Sequence, residues 1–586
     1  MYPYGVIGNC SVVALINISG SLDWLCFPNP DSPPLFGRLL DPAGGHFALG
    51  TSEPTVTRQR YIEYTNILET EVESAQGAFR ITDFSPRFAK DGRTYRPRQI
   101  CRRLEPIRGA PLVSVVCKPV AGWEREYLRP YIGAHAIHYE FGGGEAALTT
   151  TISPEEVVSE AVHPLTQTEY FVLGHGSEQI GDVAQYVEEA LRATSLGWHA
   201  WVQHLQLPAV HATQAIRSAL ALKLNCIEES GAILAAPTTS LPEIFGGERN
   251  WDYRFCWLRD AAFVLAAFDR LGQTEEIRQF LRFLLEIATD SKELHPVYRA
   301  NHTLPLPEEV HLGWRGFRDS RPVRSNNQAG EHVQNDVYGE MLLSLGPIFS
   351  AERYGEFRSA TLIDLVEFLS RKAAEAIGAK DAGLWEFRSM QQVHSFSALA
   401  SWAGLRGVAE AQQQGSLTEV RYDIRGAMQR ATEVISAAIV DGTVRNGPHD
   451  PSFDAALLLL PIFHYPDRAL NESTVRAIHR ALAVNREDPQ SPHIYRYRRA
   501  DDFGIPQGSF VICSYWLIEA LARLGHQEEA HRMLLEMDRC ANHLGLIAEH
   551  IEPRGYKQSG NFPQAYSHVG LINAAFAVGV PPAHSR

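Results

Sequence analysis

The sequence predicts a multidomain β + α protein, with an N-terminal antiparallel β-sandwich followed by an (α/α)6 barrel. Three observations predict it: short β-rich runs in the first 180 residues, about twelve amphipathic segments from residue 209 onwards, and long polar loops between several of those segments. A chain of 586 residues is too long for one ordinary core. We predict a sandwich over 1–180, a linking helix over 181–208 and a barrel over 209–586.

The sandwich is predicted from runs rich in Val, Ile, Thr, Tyr and Phe that are broken by Gly, Pro, Asn and Asp. Examples are SVVALIN, GHFALGT, GAFRITDFSP, AIHYEF and EYFVLG. Short strands with frequent turn signals are typical of antiparallel sheets packed face to face. After about residue 180 the spacing of the apolar residues changes to that of an amphipathic helix. The segment DVAQYVEEALRATSLGWHAWVQHL at 182–205 is predicted to form the linking helix.

The barrel is predicted from helical segments that begin near residues 209, 258, 274, 334, 358, 395, 416, 452, 471, 510, 526 and 566. Twelve helices in hairpin pairs can close into a double ring, with a pocket at the end where the long loops gather. The 36-residue loop 295–330 is one such loop, and loops of that length are usually functional. A helical-repeat solenoid is the alternative, but the sequence has no fixed period of 30–45 residues.

Composition excludes several classes of partner. Hydrophobic residues make up 45% of the chain and charged residues 21%, and the net charge is −14. This balance argues against a nucleic-acid or anionic-membrane partner. The eight cysteines form no CxxC pair, and the first twenty residues have no basic segment followed by an apolar run. We therefore expect reduced thiols, no signal peptide, no membrane span, no structural zinc and a cytoplasmic location.

Two distant stretches each offer a carboxylate beside aromatic residues, just outside a predicted helix. GLWEFR at 383–388 contains Glu386, and IAEHIEPRGYKQSGNFPQAYSHVGLINAA at 547–575 contains Glu549. A pair of carboxylates is the minimum needed to hydrolyse a glycosidic bond, because one protonates the leaving oxygen and the other activates water or attacks the sugar. Apolar neighbours of Glu386 would favour the protonated acid, and His550 and Arg554 could keep Glu549 ionised.

A third stretch, RNWDYRFCWLRDAAF at 249–263, contains three Arg, two Asp and two Trp. The adjacent Arg259 and Asp260 offer donors and acceptors for two vicinal hydroxyls, although charge matching at a helix start is the simpler explanation. Three tryptophans could stack on sugar faces or could simply pack: Trp251, Trp257 and Trp314. Arg315, with Arg321 and Arg324 in the long loop, could bind substrate or form a solvated strip. His568 in its predicted helix is interpreted as a core histidine.

These stretches together resemble glycoside hydrolase family 15, the glucoamylase-type inverting α-glucosidases, and in particular its bacterial branch, which includes trehalases. GVIGNCSVVALINISGSLDWLCFPNPDSPPLFGRLLDP at 5–42 resembles the start of that branch's N-terminal domain. AAPTTSLPEIFGGERNWDYRFCWLRDAAF, SRPVRSNNQAGEHVQNDVYGEM, GLWEFR and GNFPQAYSHVGLINAA resemble four catalytic-domain signatures in the family's order. The resemblance covers essentially the whole chain.

The resemblance implies a role for each matching residue. Glu386 would be the general acid and Glu549 the base, with Glu552 as a less favoured alternative for the base. Arg259 and Asp260 would grip the non-reducing glucose, and Trp385 would line the same subsite. Phe387 and His550 stand where starch-acting members carry an acid and a Gln. These departures, and the lack of a recognisable starch-binding module, favour short substrates.

We therefore predict an exo-acting, inverting α-glucoside hydrolase that releases β-glucose from short α-glucosides without a metal or organic cofactor. α,α-Trehalose hydrolysis is the alternative within the same family. A phosphorylase on the same barrel would place phosphate where Glu549 stands, and a non-catalytic carbohydrate-binding protein would not need both carboxylates. A homo-oligomeric assembly is compatible with the sequence and is left open.

Overall fold

The computed structural model describes residues 2–133, 136–176, 180–290, 293–305, 307–552 and 555–579. Arg554, which the sequence suggests as a neighbour of Glu549, lies outside these residues. The described chain has a strand-rich N-terminal part and a helical remainder, each with its own hydrophobic core. No described helix combines the length and the apolar character that crossing a bilayer requires.

The strands of the N-terminal part are β1 Tyr4–Gly8, β2 Val13–Asn17, β3 Leu22–Cys26, β4 Pro34–Phe36, β5 His46–Gly50, β6 Val56–Tyr61, β7 Leu68–Glu73, β8 Gly77–Phe84, β9 Phe88–Lys90, β10 Arg93–Tyr95, β11 Gln99–Gly109, β12 Leu112–Lys118, β13 Tyr131–Ile132, β14 Ala136–Phe141, β15 Gly144–Thr150, β16 His163–Pro164 and β17 Glu169–His175. Among the described residues, one sheet has the order β1-β2-β3-β5-β12-β16 with β4 beside β3. The other has the order β13-β14-β15-β17-β11-β8-β7-β6. Neighbouring strands in both sheets are antiparallel.

The two large sheets pack face to face, as the predicted sandwich requires. Phe47 of β5 and Phe171 of β17 come from different sheets, and their ring centroids lie 6.1 Å apart. In β5, β7 and β12, more and less buried residues alternate, which is the period-two pattern of a strand with one face in the core. β1 is buried at every position because the helix Ala212–Asn225 of the helical part also packs against it.

The helices are α1 Pro154–Val158, α2 Val183–Gln203, α3 Ala212–Asn225, α4 Leu258–Arg270, α5 Glu275–Asp290, α6 Asp336–Ser350, α7 Ala360–Ala376, α8 Ser395–Gln413, α9 Ile424–Ala437, α10 Leu459–Ile462, α11 Arg468–Leu482, α12 Val511–Arg523, α13 Gln527–Met537 and α14 Ala565–Val578. The short strands among them are β18 Cys256–Trp257, β19 Val297–Tyr298, β20 Glu309–Val310, β21 Arg324–Ser325, β22 Ile439–Val440, β23 Thr443–Val444, β24 Ser509–Phe510, β25 His550–Glu552 and β26 Lys557–Ser559.

Every second helix belongs to an inner ring. The members of this ring are α4, α6, α8, α10, α12 and α14, and each packs against the next; α8 does so through the turn before α10. α14 also packs against α4, which closes the ring. α6, α8, α12 and α14 are buried over most of their length, whereas outer helices such as α9 and α13 bury one stripe. The described helices therefore form the predicted (α/α)6 barrel, and the solenoid alternative is wrong.

Ten of the twelve predicted helix starts lie within three residues of the structure, whereas the segments expected near residues 416 and 452 begin at Ile424 and, as the short α10, at Leu459. The segment expected near residue 416 begins at Ile424, because the Asp423 side chain accepts the Gly426 N–H and caps the helix there. The helix predicted over 182–205 is confirmed as α2, whose Asp182 side chain caps it in the same way. The division into domains at residues 180 and 208 stays a prediction.

The contact between α6 and α8 depends on a glycine and supports a stability test. A Cβ on Gly339 would lie 2.3 Å from the Ala400 carbonyl group on α8. We expect Gly339→Ala to push the two inner helices apart and to lower the free energy of unfolding by about 1–3 kcal/mol. Thermal unfolding followed by circular dichroism measures the effect.

Gly346→Ala is the matched control, because Gly346 lies on the same helix and a Cβ there would meet no atom within 4 Å. This control should leave the unfolding temperature unchanged or raise it slightly, since Ala has the higher helix propensity. Equal unfolding temperatures for the two variants would contradict the close packing of α6 against α8.

Candidate active site

A pocket lies at the end of the barrel where the inner helices begin, and the space not filled by protein there is about 860 Å³ when the solvent at its open mouth is included. Its walls come from the chain before and at the starts of α4, α6, α8, α12 and α14. Because the inner helices share one direction, the segments that precede them converge at the same end of the ring. Glu386, Glu549, Arg259, Asp260, Trp385, Trp257 and Trp251 all line this pocket.

A tight turn presents Glu386 to the pocket. The Glu386 N–H donates to the Gly383 carbonyl at 3.1 Å, and Glu386 itself has a positive φ of 62°. A left-handed backbone at a non-glycine residue is unfavourable, and such residues cluster at functional sites. Gly383 also has a positive φ, and a Cβ there would meet the His394 ring at 2.6 Å. Both features aim the carboxylate inward from the loop before α8.

The surroundings of Glu386 differ from those expected from the sequence. Trp385 donates its indole N–H to Asp454 at 2.8 Å, and the Phe387 ring lies parallel to the His394 ring. Both neighbours line the pocket with Glu386, but neither donates a hydrogen bond to its carboxylate.

Nitrogen donors surround the Glu386 carboxylate instead. The Trp257 indole N–H donates to Glu386 Oε1 at 2.7 Å, and Arg259 Nη1 and Gln334 Nε2 lie 3.4 and 3.3 Å from the same oxygen. Side-chain exposure of Glu386 is 22%, so the group is reachable from the pocket. These donors fix the position of the carboxylate.

Glu549 lines the same pocket and comes directly before β25. Its side chain is 2% exposed, and Oε1 accepts a hydrogen bond of 2.6 Å from the Tyr253 hydroxyl. Burial and the Glu549 charge hold the pKa of Tyr253 well above its usual value, so the phenol keeps its proton and donates it. Glu552, the alternative base, pairs with Lys557 in the hairpin and is not among the described residues that line the pocket.

Arg259 and Asp260 occupy the first turn of α4. Arg259 Nε donates to Asp260 Oδ1 at 3.1 Å, and Nη1 donates to the Leu384 carbonyl at 2.9 Å, beside the Glu386 turn. Burial raises the pKa of Asp260 to about 6, with Glu386 adding to the effect and Arg259 opposing it. The pair thus joins the start of α4 to the Glu386 loop at the floor of the pocket.

The tryptophans of the 249–263 stretch are already engaged by the protein. Trp257 is 2% exposed and donates to Glu386. Trp251 donates to Glu243 at 3.2 Å, and the guanidinium groups of Arg324 and Arg388 lie over its ring at 4.7 and 4.6 Å. Both side chains line the pocket, and their part in substrate binding stays a prediction.

Trp314 and Arg315 do not lie at the pocket, which corrects their assignment as substrate-binding residues. Trp314 is 1% exposed and donates its indole N–H to the Trp123 carbonyl at 2.8 Å, in the sandwich. Arg315 is about half exposed and pairs with Asp319. The middle of the 295–330 loop packs against the sandwich, because the large Trp314 side chain fills a gap beside Gly37 and Gly44.

Several pocket residues were not identified from the sequence. Tyr253 and Glu243 belong to the family-like stretch AAPTTSLPEIFGGERNWDYRFCWLRDAAF, in which only the Trp, Arg and Asp residues were predicted to bind sugar. Asp502 accepts the backbone N–H groups of Arg388 and Ser389 at 2.7 and 3.0 Å. This contact joins the 501–504 loop to the Glu386 loop across more than a hundred residues, and the local sequence contains no signal for it.

His568 is the core histidine that the sequence predicts. It is fully buried on α14, and burial lowers its pKa to about 3, so the ring is neutral. Its Nε2 accepts the Ile547 N–H at 3.2 Å, and its Nδ1 lies 2.9 Å from the Ser218 hydroxyl. The ring therefore fixes the backbone two residues before Glu549 without touching the pocket.

Glu243, Glu549 and His550 form a group with the spacing of metal ligands. One oxygen or nitrogen atom of each lies within 4.8 Å of the others. Arg496 Nη1 and Trp251 Nε1 both donate to Glu243 Oε1 at 3.2 Å, and Tyr253 donates to Glu549. Both carboxylates therefore already accept hydrogen bonds from protein donors. For this reason Glu243, Glu549 and His550 do not fit a metal site.

The fold agrees with comparisons to known proteins. The sequence profile of Glycosyl hydrolases family 15 matches residues 209–576, and the profile described as Trehalase-like, N-terminal matches residues 3–107. A trehalase of Thermoplasma volcanium is 30% identical, over 98% of this chain and 92% of the relative. A trehalase of Mycolicibacterium smegmatis is 31% identical, over 98% of this chain and 90% of the relative.

Among solved structures, a bacterial glucoamylase complexed with acarbose superimposes with a TM-score of 0.69, covering 98% of this chain and 94% of that chain at 14% identity. This likeness supports the two-part fold. The protein is therefore a glycoside hydrolase. The chain belongs to Glycosyl hydrolases family 15, because that profile matches more than half of its length.

Proposed function

We propose that this glycoside hydrolase cleaves α,α-trehalose into two glucose molecules with inversion at one anomeric carbon. The observation that carries the proposal is a single pocket lined by Glu386 and Glu549, which come from loops more than 160 residues apart. The choice of trehalose is supported by the full-length relatives named trehalase in Thermoplasma volcanium and Mycolicibacterium smegmatis.

In this mechanism Glu386 donates its proton to the glycosidic oxygen while Glu549 removes a proton from the attacking water on the opposite face of the sugar. The C–O bond breaks through an oxocarbenium-like transition state, and the attacked glucose leaves as the β-anomer. The other glucose leaves as the α-anomer. Inversion requires about 6.5–9.5 Å between the two carboxyl groups, to leave room for the water.

We propose that Arg259 and Asp260 hold the hydroxyls of the attacked glucose. Their contacts with each other and with the Leu384 carbonyl support this role, because they hold the pair beside the Glu386 loop. Removing a side chain that hydrogen-bonds a buried sugar hydroxyl weakens binding, because the hydroxyl is then left without a hydrogen-bond partner. Trp385, on the same wall, would exclude water from the bond to be cleaved.

The mechanism needs only carboxylates and water, and the proposed partner is the α-glucoside substrate. A cytoplasmic location and a homo-oligomeric state stay predictions, which cell fractionation and light scattering would test.

Anomer-resolved proton NMR tests the proposal, with α,α-trehalose, maltose, isomaltose and a long linear glucan assayed in parallel. Trehalose should give equal initial amounts of α- and β-glucose, before mutarotation mixes them. Initial α-glucose alone would mean retention and would contradict the mechanism.

The other sugars in the panel test the substrate. Hydrolysis of maltose without hydrolysis of trehalose would assign the enzyme to the glucoamylase type, the main prediction from the sequence. Products of internal cleavage from the long glucan would contradict an exo-acting pocket.

A further inference from the structure

A second carboxylate lies beside Glu549. Glu243 is 4% exposed and comes from the loop before α4, and its Oε1 accepts from Arg496 Nη1 and Trp251 Nε1. Burial acts to raise the pKa of Glu243, but Arg496, His550 and Arg249 outweigh it and lower the pKa. Glu243 is therefore a buried negative charge next to the proposed base.

His550 lies between these two carboxylates. Its Nε2 is 3.6 Å from Glu549 Oε1 and 3.8 Å from Glu243 Oε2. The ring is 1% exposed and stacks on Phe510, with the centroids 4.6 Å apart. Neither ring nitrogen has a hydrogen-bond partner at normal distance among the described residues. His550 does not line the pocket, so it cannot select a substrate by touching it.

Two buried carboxylates this close repel each other, and the second becomes hard to ionise unless a cation offsets the charge. Arg496 pairs with Glu243 through Nη1 and Oε1, and not through Oε2, the oxygen nearer to His550. His550 is the group within reach of one oxygen of each carboxylate. An imidazolium there would attract both, whereas a neutral amide of similar size would attract neither as a charge.

We propose that His550, as an imidazolium, is a positioning residue that allows Glu243 and Glu549 to be ionised together. The inference rests on Glu549 acting as the base in the proposed function. His550 stands where starch-acting members of the family carry a Gln. The inference explains this difference by an effect of the histidine on the base and not by a preference for short substrates. The charged or titratable groups around the two carboxylates are Arg249, Tyr253, Asp260, Glu386, Arg496 and Tyr2.

Three variants test the proposal: His550→Gln, Glu243→Gln and the double variant, assayed on trehalose across pH. We expect His550→Gln to lower kcat about tenfold with little change in KM, since the residue touches no substrate. The acid limb of its pH profile should move up by about one pH unit, because Glu549 must then ionise beside Glu243 without a cation between them.

Glu243→Gln should move the acid limb down, because it removes a negative charge near the base. In the double variant, the Glu243→Gln change should bring the acid limb of the pH profile and most of kcat back towards the values of the unmodified enzyme. A role for His550 in packing alone would not allow this rescue, since the second change restores no lost contact. A double variant no better than His550→Gln would overturn the proposal.

His479→Gln is the matched control, because His479 is a buried histidine on α11 that bonds the Ser491 carbonyl and does not line the pocket. It should lower the unfolding temperature without moving the pH profile. Glu549→Gln distinguishes failure of the proposed base from failure of the proposed role of His550. An active Glu549→Gln enzyme would overturn the proposed base itself. If Glu549→Gln is inactive but Glu243→Gln does not rescue His550→Gln, only the inference on His550 is overturned.

Discussion

Replacing Glu549 by Gln is expected to reduce kcat on trehalose by about 10²–10⁴-fold, the range that a positioned base contributes. The amide keeps the shape of the side chain and can still accept the Tyr253 hydrogen bond, but it cannot take a proton from water. The unfolding temperature should change little. Steady-state kinetics and circular dichroism measure the two effects.

Glu552→Gln is the control for this variant, since Glu552 lies three residues further along the chain, at the end of β25, and does not line the pocket. It should keep nearly full activity. An inactive Glu552→Gln enzyme together with an active Glu549→Gln enzyme would move the base by three residues.

Replacing Glu386 by Gln should reduce activity on trehalose by a similar factor, because a glucose leaving group needs a proton. The loss should be much smaller on α-glucosyl fluoride, since fluoride leaves without protonation. Comparing kcat/KM on the two substrates therefore separates loss of the acid from general damage to the pocket.

Glu549→Gln provides the contrast, because water must still be activated whichever group leaves. That variant should be slow on both substrates. An equal loss on both substrates for Glu386→Gln would mean that Glu386 is not the proton donor.

Much of the fold follows from local signals. Most helix starts, but not those of α9 and α10, were predicted to within three residues, because amphipathic spacing and side-chain caps act within one or two turns of the chain. Where a cap was missed, as at Asp423, the start was wrong by eight residues. The sandwich strands were likewise predicted from β-rich runs and turn residues, which are also local.

The structure places some of the residues predicted for the candidate site in the pocket and others outside it. The stretches around Arg259, Glu386 and Glu549 do meet in one pocket, but Trp314 and Arg315 do not belong to it. The sequence marks loop 295–330 as functional by its length, and length does not say which part of a loop faces the barrel. Trp314 binds Trp123, a partner 191 residues away, and no pattern in the loop reports that contact.

The sequence by itself determined the two-part architecture, the two candidate carboxylates and the sugar-gripping pair as predictions, because each depends on short patterns. Only the tertiary structure decided what surrounds each charge. Glu386 meets Trp257 and Arg259 instead of its neighbours in the chain, and His550 comes between Glu549 and Glu243. The physical reason is that electrostatic interactions depend on distance in space, and the fold brings together groups such as Glu243 and His550, which lie 307 residues apart in the chain.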